Sequence, residues 1–307
     1  MKRSFKLLTL LSVFVLFLVG CTMEGDNKST DSSASKDGDH VIGLSISTTN
    51  NPFFVDLQKG VTEAAKEQGM SVKVVDAQDD TATQLNGMDD LIQQGVDIIL
   101  VNPVDSDAIA PAVESANEAG IPVIAIDRSS AGGEILSFIA SDNVEGGEMA
   151  AEFIVEQIGE GGKVVQLEGI PGSSSANERG EGFMKGAEGK LDVVASQTAN
   201  YNRAEGLTLM EDLLQTHSDV QAVFAQNDEM ALGAFEAIKA AGKENDIIVV
   251  GFDGNDDALK SIEDKEMTAT IAQQPVEMGR LAVQAAKDHF DGNAPDAEIP
   301  SPLKLVK

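Results

Sequence analysis

Thirteen side chains in this sequence could engage one polar small molecule together. Ser47, Asn51, Phe53, Phe54, Asn102, Asp127 and Arg128 fall in the first half, and Arg179, Tyr201, Asn227, Phe252, Asp253 and Gln273 in the second. Carboxylates accept hydrogen bonds, guanidinium groups donate them, amides do both, and aromatic rings pack against C–H faces. That mixture suits a sugar, whose hydroxyls both donate and accept and whose ring has apolar faces. Asp127 and Asp253 are offset by Arg128 and Arg179, so the set carries no net charge. A desolvated pocket with balanced charge favours a neutral ligand, whereas a phosphate or carboxylate would call for surplus cations. Pairing with arginine is expected to keep both aspartates ionised, leaving no acid with a raised pKa for acid–base catalysis.

Other chemistries find weaker footing. Gly180-Glu181-Gly182 and the glycines before Lys163 fit neither nucleotide-loop spacing. The run from Asp253 to Asp257 resembles the start of a calcium loop, but Ala258 stands where glycine is required and Asp264 ends it, so a strand end and helix cap is expected. His40, His217 and His289 lie far apart, are read as surface residues and give no metal-ligand spacing. Ser173, Ser174 and Ser175 lack the GxSxG context of a nucleophile and read as the loop opening the helix that bears Arg179. No catalytic residue, metal or cofactor is expected.

The elements that must position the thirteen side chains follow from periodicity. Short Val- and Ile-rich runs alternate with longer amphipathic stretches closed by Gly, Asn or Asp, which is a βαβα rhythm. Strands are expected at residues 40–47, 71–77, 97–103, 122–128 and 137–141, then at 163–168, 193–198, 222–226, 247–253 and 268–273. Helices lie between them, as at 52–68 and 108–119, each followed by a glycine suited to a C-cap. The fold class is α/β, with two doubly wound parallel-sheet lobes. In such sheets ligands bind beyond the carboxyl ends of the strands, where the thirteen residues fall. Each residue taken singly would also suit a turn or a helix cap.

The N-terminal segment sets the compartment. Lys2, Arg3 and Lys6 precede a thirteen-residue apolar run that leads into Leu18-Val19-Gly20-Cys21. That is a signal peptide over residues 1–20 with a lipoprotein cleavage box, and the run is shorter than the roughly 20 residues a membrane-spanning helix needs. Cys21, the one cysteine in the chain, is expected to be lipidated and to hold the protein to the outer face of the cytoplasmic membrane. Residues 22–39 are small and polar, too poor in apolar side chains to fold, and read with Cys21 as a flexible tether. There are 51 acidic residues against 22 basic, a formal net charge of −29. Such a chain is repelled by nucleic acid and by anionic lipid.

Eight ordered blocks resemble a known family. They are STTNNPFF (47–54), VNPVDSDA (101–108), IPVIAIDR (121–128), ASDNVEGG (140–147), NERGEGF (177–183), VQAVFAQNDEMALGA (220–234), VVGFDG (249–254) and ATIAQQP (269–275). The chain is similar, from about residue 41 to 306, to the ribose-binding proteins of bacterial ABC sugar importers, within the periplasmic binding protein type I fold. The resemblance implies that the thirteen residues sandwich and tie a pentose, with the first seven from one lobe, the next five from the other and Gln273 at the hinge. It implies a three-segment hinge near 140–142, 273–274 and 299–301. The N-terminal lobe would then comprise 40–141 plus 274–300, and the C-terminal lobe 142–273 plus 301–307. Expected partners are a monosaccharide, with ribose foremost and allose, galactose, xylose or a furanose-like signalling molecule as alternatives, and the importer's permease and ATPase, with the receptor itself a monomer. Tyr201 stands where ribose binders usually place a third stacking Phe, and its phenol needs a partner, either water or a ligand hydroxyl. A sugar-responsive transcription regulator shares this core but carries a DNA-binding helix-turn-helix in the place that the signal and tether occupy here.

Overall fold

The computed structural model describes residues 40–307; the expected signal segment, Cys21 and the tether lie outside the described residues. The chain runs β1 (Val41–Ile46), α1 (Pro52–Glu67), β2 (Ser71–Asp76), α2 (Thr81–Gln93), β3 (Ile98–Val101), α3 (Ala110–Glu118), β4 (Val123–Ile126) and β5 (Ser137–Ser141). It continues α4 (Asn143–Ile158), β6 (Gly162–Glu168), α5 (Ser174–Ala187), β7 (Leu191–Thr198), α6 (Arg203–Thr216), β8 (Ala222–Ala225), α7 (Asp228–Ala240), β9 (Ile248–Asp253), α8 (Asp256–Glu263) and β10 (Ala269–Ala272). The last elements are α9 (Pro275–Phe290), β11 (Glu298–Ser301) and β12 (Lys304–Val306).

Two six-stranded sheets result, ordered β11-β5-β4-β3-β1-β2 and β12-β10-β9-β8-β6-β7. Every pairing is parallel except that of β12 with β10. The fully buried run Ile98-Ile99-Leu100-Val101 shows why the apolar segments become strands: alternate side chains leave opposite faces, and both faces are covered. Ile98 and Leu100 pack with Leu57 and Met278 of α1 and α9, while Ile99 and Val101 pack with Leu91 and Val113 of α2 and α3. In the second sheet Val165 and Val223 meet Met210 and Ala234 of α6 and α7, and Val164 and Phe224 meet Ile154 and Phe183 of α4 and α5. Each buried Val, Leu, Ile, Met or Phe among them stabilises the fold by about 1.5–3 kcal/mol.

Helix ends are chemically marked. Asn51, Asp80, Asp142, Asn202 and Asn227 cap α1, α2, α4, α6 and α7, each accepting from an N–H of the first turn. The pair α4 and α5 packs closely because Gly182 lets Val144 O approach: a Cβ at Gly182 would lie 2.0 Å from that oxygen.

The chain passes between the sheets three times, from β5 into α4, from β10 into α9 and from β11 into β12. The ten expected strands all form. β4 stops at Ile126 rather than reaching Arg128, because Asp127 turns out of the extended region to φ +66°. β11 and β12 were not expected as strands. β11 contains Pro300, which a sheet edge tolerates because no ladder N–H is needed there, and β12 has only three residues. β9 ends at Asp253 and Asn255 takes the N-cap position of α8, the strand end and helix cap expected there. The histidines are partly exposed, and His40 stacks on Phe290 with ring centroids 3.8 Å apart. Among the described residues no helix is long and apolar enough to cross a membrane.

Candidate functional site

The residues that follow the strands converge. Ser47 leaves β1, Asn102 leaves β3, and Asp127 and Arg128 leave β4; Tyr201 follows β7, Asn227 follows β8, Phe252 and Asp253 end β9, and Gln273 follows β10. Asn51, Phe53 and Phe54 open α1, and Arg179 sits on α5, whose first turn is the serine run. Asn51, Phe53, Phe54, Asp127, Arg128, Arg179, Tyr201, Asn227 and Asp253 line one narrow cavity of about 10 Å³, together with Ser175. It adjoins a chamber of about 300 Å³ that shares Asn51, Phe54, Arg128 and Tyr201 and adds Asp79, Asn200 and Glu229.

The other four expected residues stand behind this lining. The Ser47 hydroxyl donates to Asn102 Oδ1 (2.7 Å), and Asn102 Nδ2 donates to Asp127 Oδ2 (3.2 Å). Gln273 Nε2 donates to Asp253 Oδ1 (2.9 Å). Phe252 lies under Arg179, whose guanidinium carbon is 3.8 Å from the ring centre. Ser47, Asn102, Phe252 and Gln273 therefore aim the side chains in front of them.

The two halves of the lining are built alike. Arg128 stacks over Phe54 at 5.0 Å, donates to Pro103 O at 3.0 Å and has Nε 3.5 Å from Asp127 Oδ2. Arg179 donates from Nε to Asn143 Oδ1 (2.9 Å) and from Nη1 to Gln226 O (2.7 Å), with Nη1 3.6 Å from Asp253 Oδ1. Asp127 Oδ1 and Arg128 Nε are buried and have no hydrogen-bond partner among the described residues. A guanidinium and a carboxylate with unmatched atoms at a cavity wall are a donor and an acceptor suited to ligand hydroxyls.

Backbone strain collects at the same place. Asp127, Tyr201 and Asp253 have φ of +66°, +58° and +119°, conformations that cost a non-glycine residue on the order of 1–3 kcal/mol each. The Tyr201 phenol finds its partner within the protein, in Ser175 Oγ at 3.3 Å, which in turn bonds Ser173 Oγ at 3.0 Å.

Burial pushes Asp127 upward in pKa despite Arg128, Arg179 and the Asn102 amide, and pushes Asp253 well above the usual carboxylate range despite Arg179. The expectation that arginine pairing leaves no raised acid is thus corrected. The 3.5 and 3.6 Å nitrogen-to-oxygen separations are too long for direct hydrogen bonds, so charge attraction recovers only part of the desolvation cost.

Sequence reasoning passed over four supporting residues. Asp228, fully buried at the start of α7, accepts from the N–H groups of Gly254 (2.7 Å) and Asn255 (2.8 Å) and from the Thr270 hydroxyl (2.7 Å). It pins the turn after Asp253, and burial pushes it up to about 7, so the charge balance of the site includes a third buried carboxyl. Gln84 donates to Asn102 O (2.9 Å) and accepts from Val104 N (2.8 Å), fixing the turn after β3. Asn143 orients Arg179, and Ser175 holds Tyr201. Asp228 had a signal, an acid in the first turn of a helix after a buried strand. The other three are joined to the site by long-range contacts without local pattern.

The family pattern described as "Periplasmic binding protein domain" matches residues 42–294. The chain belongs to the periplasmic binding protein family. Among relatives of this periplasmic binding protein, the ribose import binding protein RbsB of Bacillus subtilis (strain 168) is 52% identical over 305 residues, covering 99% of each chain. The ribose import binding protein RbsB of Escherichia coli (strain K12) is 48% identical over 89% of this chain and 93% of its own. The solved structure of the Caulobacter myo-inositol binding protein, bound to myo-inositol, superposes with a TM-score of 0.83 at 34% identity, over 87% of this chain and 92% of that one. The periplasmic binding protein fold expected from the motifs is therefore present, and the chain is a solute-binding protein rather than an enzyme.

Proposed function

We propose that this periplasmic binding protein captures D-ribose between its two lobes and delivers it to the permease and ATPase of an ABC importer. The observation that carries the reading is the matched pair of stacked guanidinium groups, Arg128 on Phe54 beside Asp127 and Arg179 on Phe252 beside Asp253. They present donors, acceptors and ring faces to one neutral, hydroxyl-bearing ligand from two sides. Ribose is favoured among sugars because relatives whose name states ribose import share about half of all residues along nearly the whole chain.

The thirteen residues act in two tiers, nine around the sugar and four behind them. The lobes are residues 40–141 plus 274–300 and 142–273 plus 301–307, joined at the three crossings. The cavity of about 10 Å³ holds roughly one water, so a pentose is admitted only when the lobes part. Each crossing carries a buried polar atom without a partner among the described residues, Ser141 Oγ, Gln273 Oε1 and Ser301 Oγ, and opening lets water satisfy them. Ligand touching both lobes shifts the equilibrium towards closure. Cys21, lipidated after signal cleavage, tethers a monomeric receptor to the outer face of the cytoplasmic membrane.

Calorimetric titration against D-ribose, allose, galactose, xylose and arabinose tests the reading. Ribose is expected to bind tightest at one site per chain. Tighter binding of another sugar would reassign the ligand, and absence of binding by all five would remove the sugar reading.

A further inference from the structure

The lobes also touch each other directly beside the cavity, through the chain neighbours of its lining residues Arg128 and Ser175. The turn after β3 meets the turn between β6 and α5: Ser106 N donates to Gly172 O at 3.0 Å, and Ser174 N donates to Ser106 Oγ at 3.3 Å. Beside them Ser129 N, after β4, donates to Ser174 Oγ at 3.0 Å. None of these serines is among the residues lining the cavity. We propose that Ser106, Ser129, Gly172 and Ser174 form a latch that stabilises the closed lobes independently of ligand and so sets sugar affinity from outside the binding cavity.

Both sides of the contact are held ready. Ser106 O accepts from Ala131 N at 2.8 Å, tying the turn to the one after β4. Asp105 Oδ1 accepts from the N–H groups of Asp107 (2.9 Å) and Ala108 (2.8 Å), which leaves Oδ2 against the opposite lobe at Gly172. Gly172 has φ +90°, and a Cβ there would lie 2.2 Å from Asp105 Oδ2, so glycine is what lets the turns meet. Two of the three latch strands stand away from the crossings, while β4, which Ser129 follows, lies beside β5. In the sheet orders β3 is two strands from β5, about 10 Å, and β6 is three from β10, about 14 Å. Each latch contact present in the closed form and lost in the open one adds its free energy to closure. Apparent affinity scales with the fraction of molecules able to adopt the closed form, and the latch raises that fraction before any sugar arrives.

The proposal rests on the reading of the lobes as moving parts, and its test separates the two. Hydrogen exchange of the Ser106, Ser129 and Ser174 amides is measured in the full-length chain without ligand, for the parent and for the double substitution Ser106→Ala and Ser174→Ala. Exchange at these amides is expected to quicken about tenfold while the strand amides keep their rates, and ribose affinity in calorimetry is expected to weaken about tenfold. Gly172→Ala, which keeps every hydrogen-bonding group and wedges the turns apart, is expected to do the same. Equal exchange in parent and variants, or ribose affinity unchanged within twofold, would overturn the latch. Altered exchange in a chain whose parent binds no sugar would leave the latch standing and remove the ribose reading.

Discussion

The Arg179 guanidinium lies over the Phe252 ring, with its carbon 3.8 Å from the ring centre, and is tied at Nε to Asn143 and at Nη1 to the Gln226 carbonyl. It is thereby a pre-aimed donor whose rotameric freedom has been removed before ligand arrives, which lowers the entropic cost of binding. Phe252 in turn is placed by Gly146, where a Cβ would lie 2.6 Å from the ring.

Replacing that guanidinium should cost more than the contacts it makes with sugar. Arg179→Ala removes the aimed donor and also the cation that holds down the pKa of buried Asp253, so that acid takes up a proton and presents a changed set of donors and acceptors; ribose binding is expected to weaken by on the order of 3 kcal/mol or more, over a hundredfold. Arg179→Lys retains charge but neither the stack nor the fork of donors, and should recover only part of the loss. Calorimetric titration of both variants checks this, and unchanged affinity in the alanine variant would remove Arg179 from the site.

The Tyr201 phenol is already engaged by Ser175. Tyr201→Phe keeps the ring over which Arg128 lies at 5.5 Å and surrenders one long hydrogen bond, so ribose affinity should stay within about threefold and stability within about 1 kcal/mol. A tenfold or greater loss of affinity with stability intact would mean that the phenol bonds the ligand.

The buried acid Asp228 gives the fold a pH dependence of known sign. Its folded-state pKa, pushed up to about 7 by burial, exceeds the unfolded value, so the folded chain binds the extra proton. The stability it contributes is complete below about pH 4 and is lost as pH rises through about 7, and Asp253 adds in the same direction. The thermal midpoint should therefore fall from about pH 5 to about pH 8. In Asp228→Asn the amide can donate to Thr270 while its oxygen still accepts from Gly254 and Asn255, so the fold is retained and the fall becomes shallower. Identical slopes in calorimetric scans of the two proteins would contradict this account.

The fold was legible where local pattern and burial agree. Ile98 to Val101 reads as a doubly covered strand because all four residues are apolar and all four are buried. Glu298 to Ser301 does not, because its place in the sheet comes from pairing with Phe138 to Ser141, far away in sequence. Within the site, chemistry-bearing residue types after strand ends were visible, as with Asp127 and Asp253. Which of them face the cavity was not, since Asn102 and Gln273 differ from Asn51 and Asn227 only in what lies in front of them. The protonation balance was hidden for the same reason, because the burial that raises Asp127 and Asp253 is a property of the assembled lobes.

The most direct measurement is a crystal structure of the chain grown with D-ribose. The account predicts one pentose between the lobes, with hydroxyls within hydrogen-bond distance of Asp127, Arg128, Arg179 and Asp253 and its ring faces against the aromatic side chains. A pentose bound elsewhere on the molecule, or a cleft closed over none at saturating ribose, would contradict it.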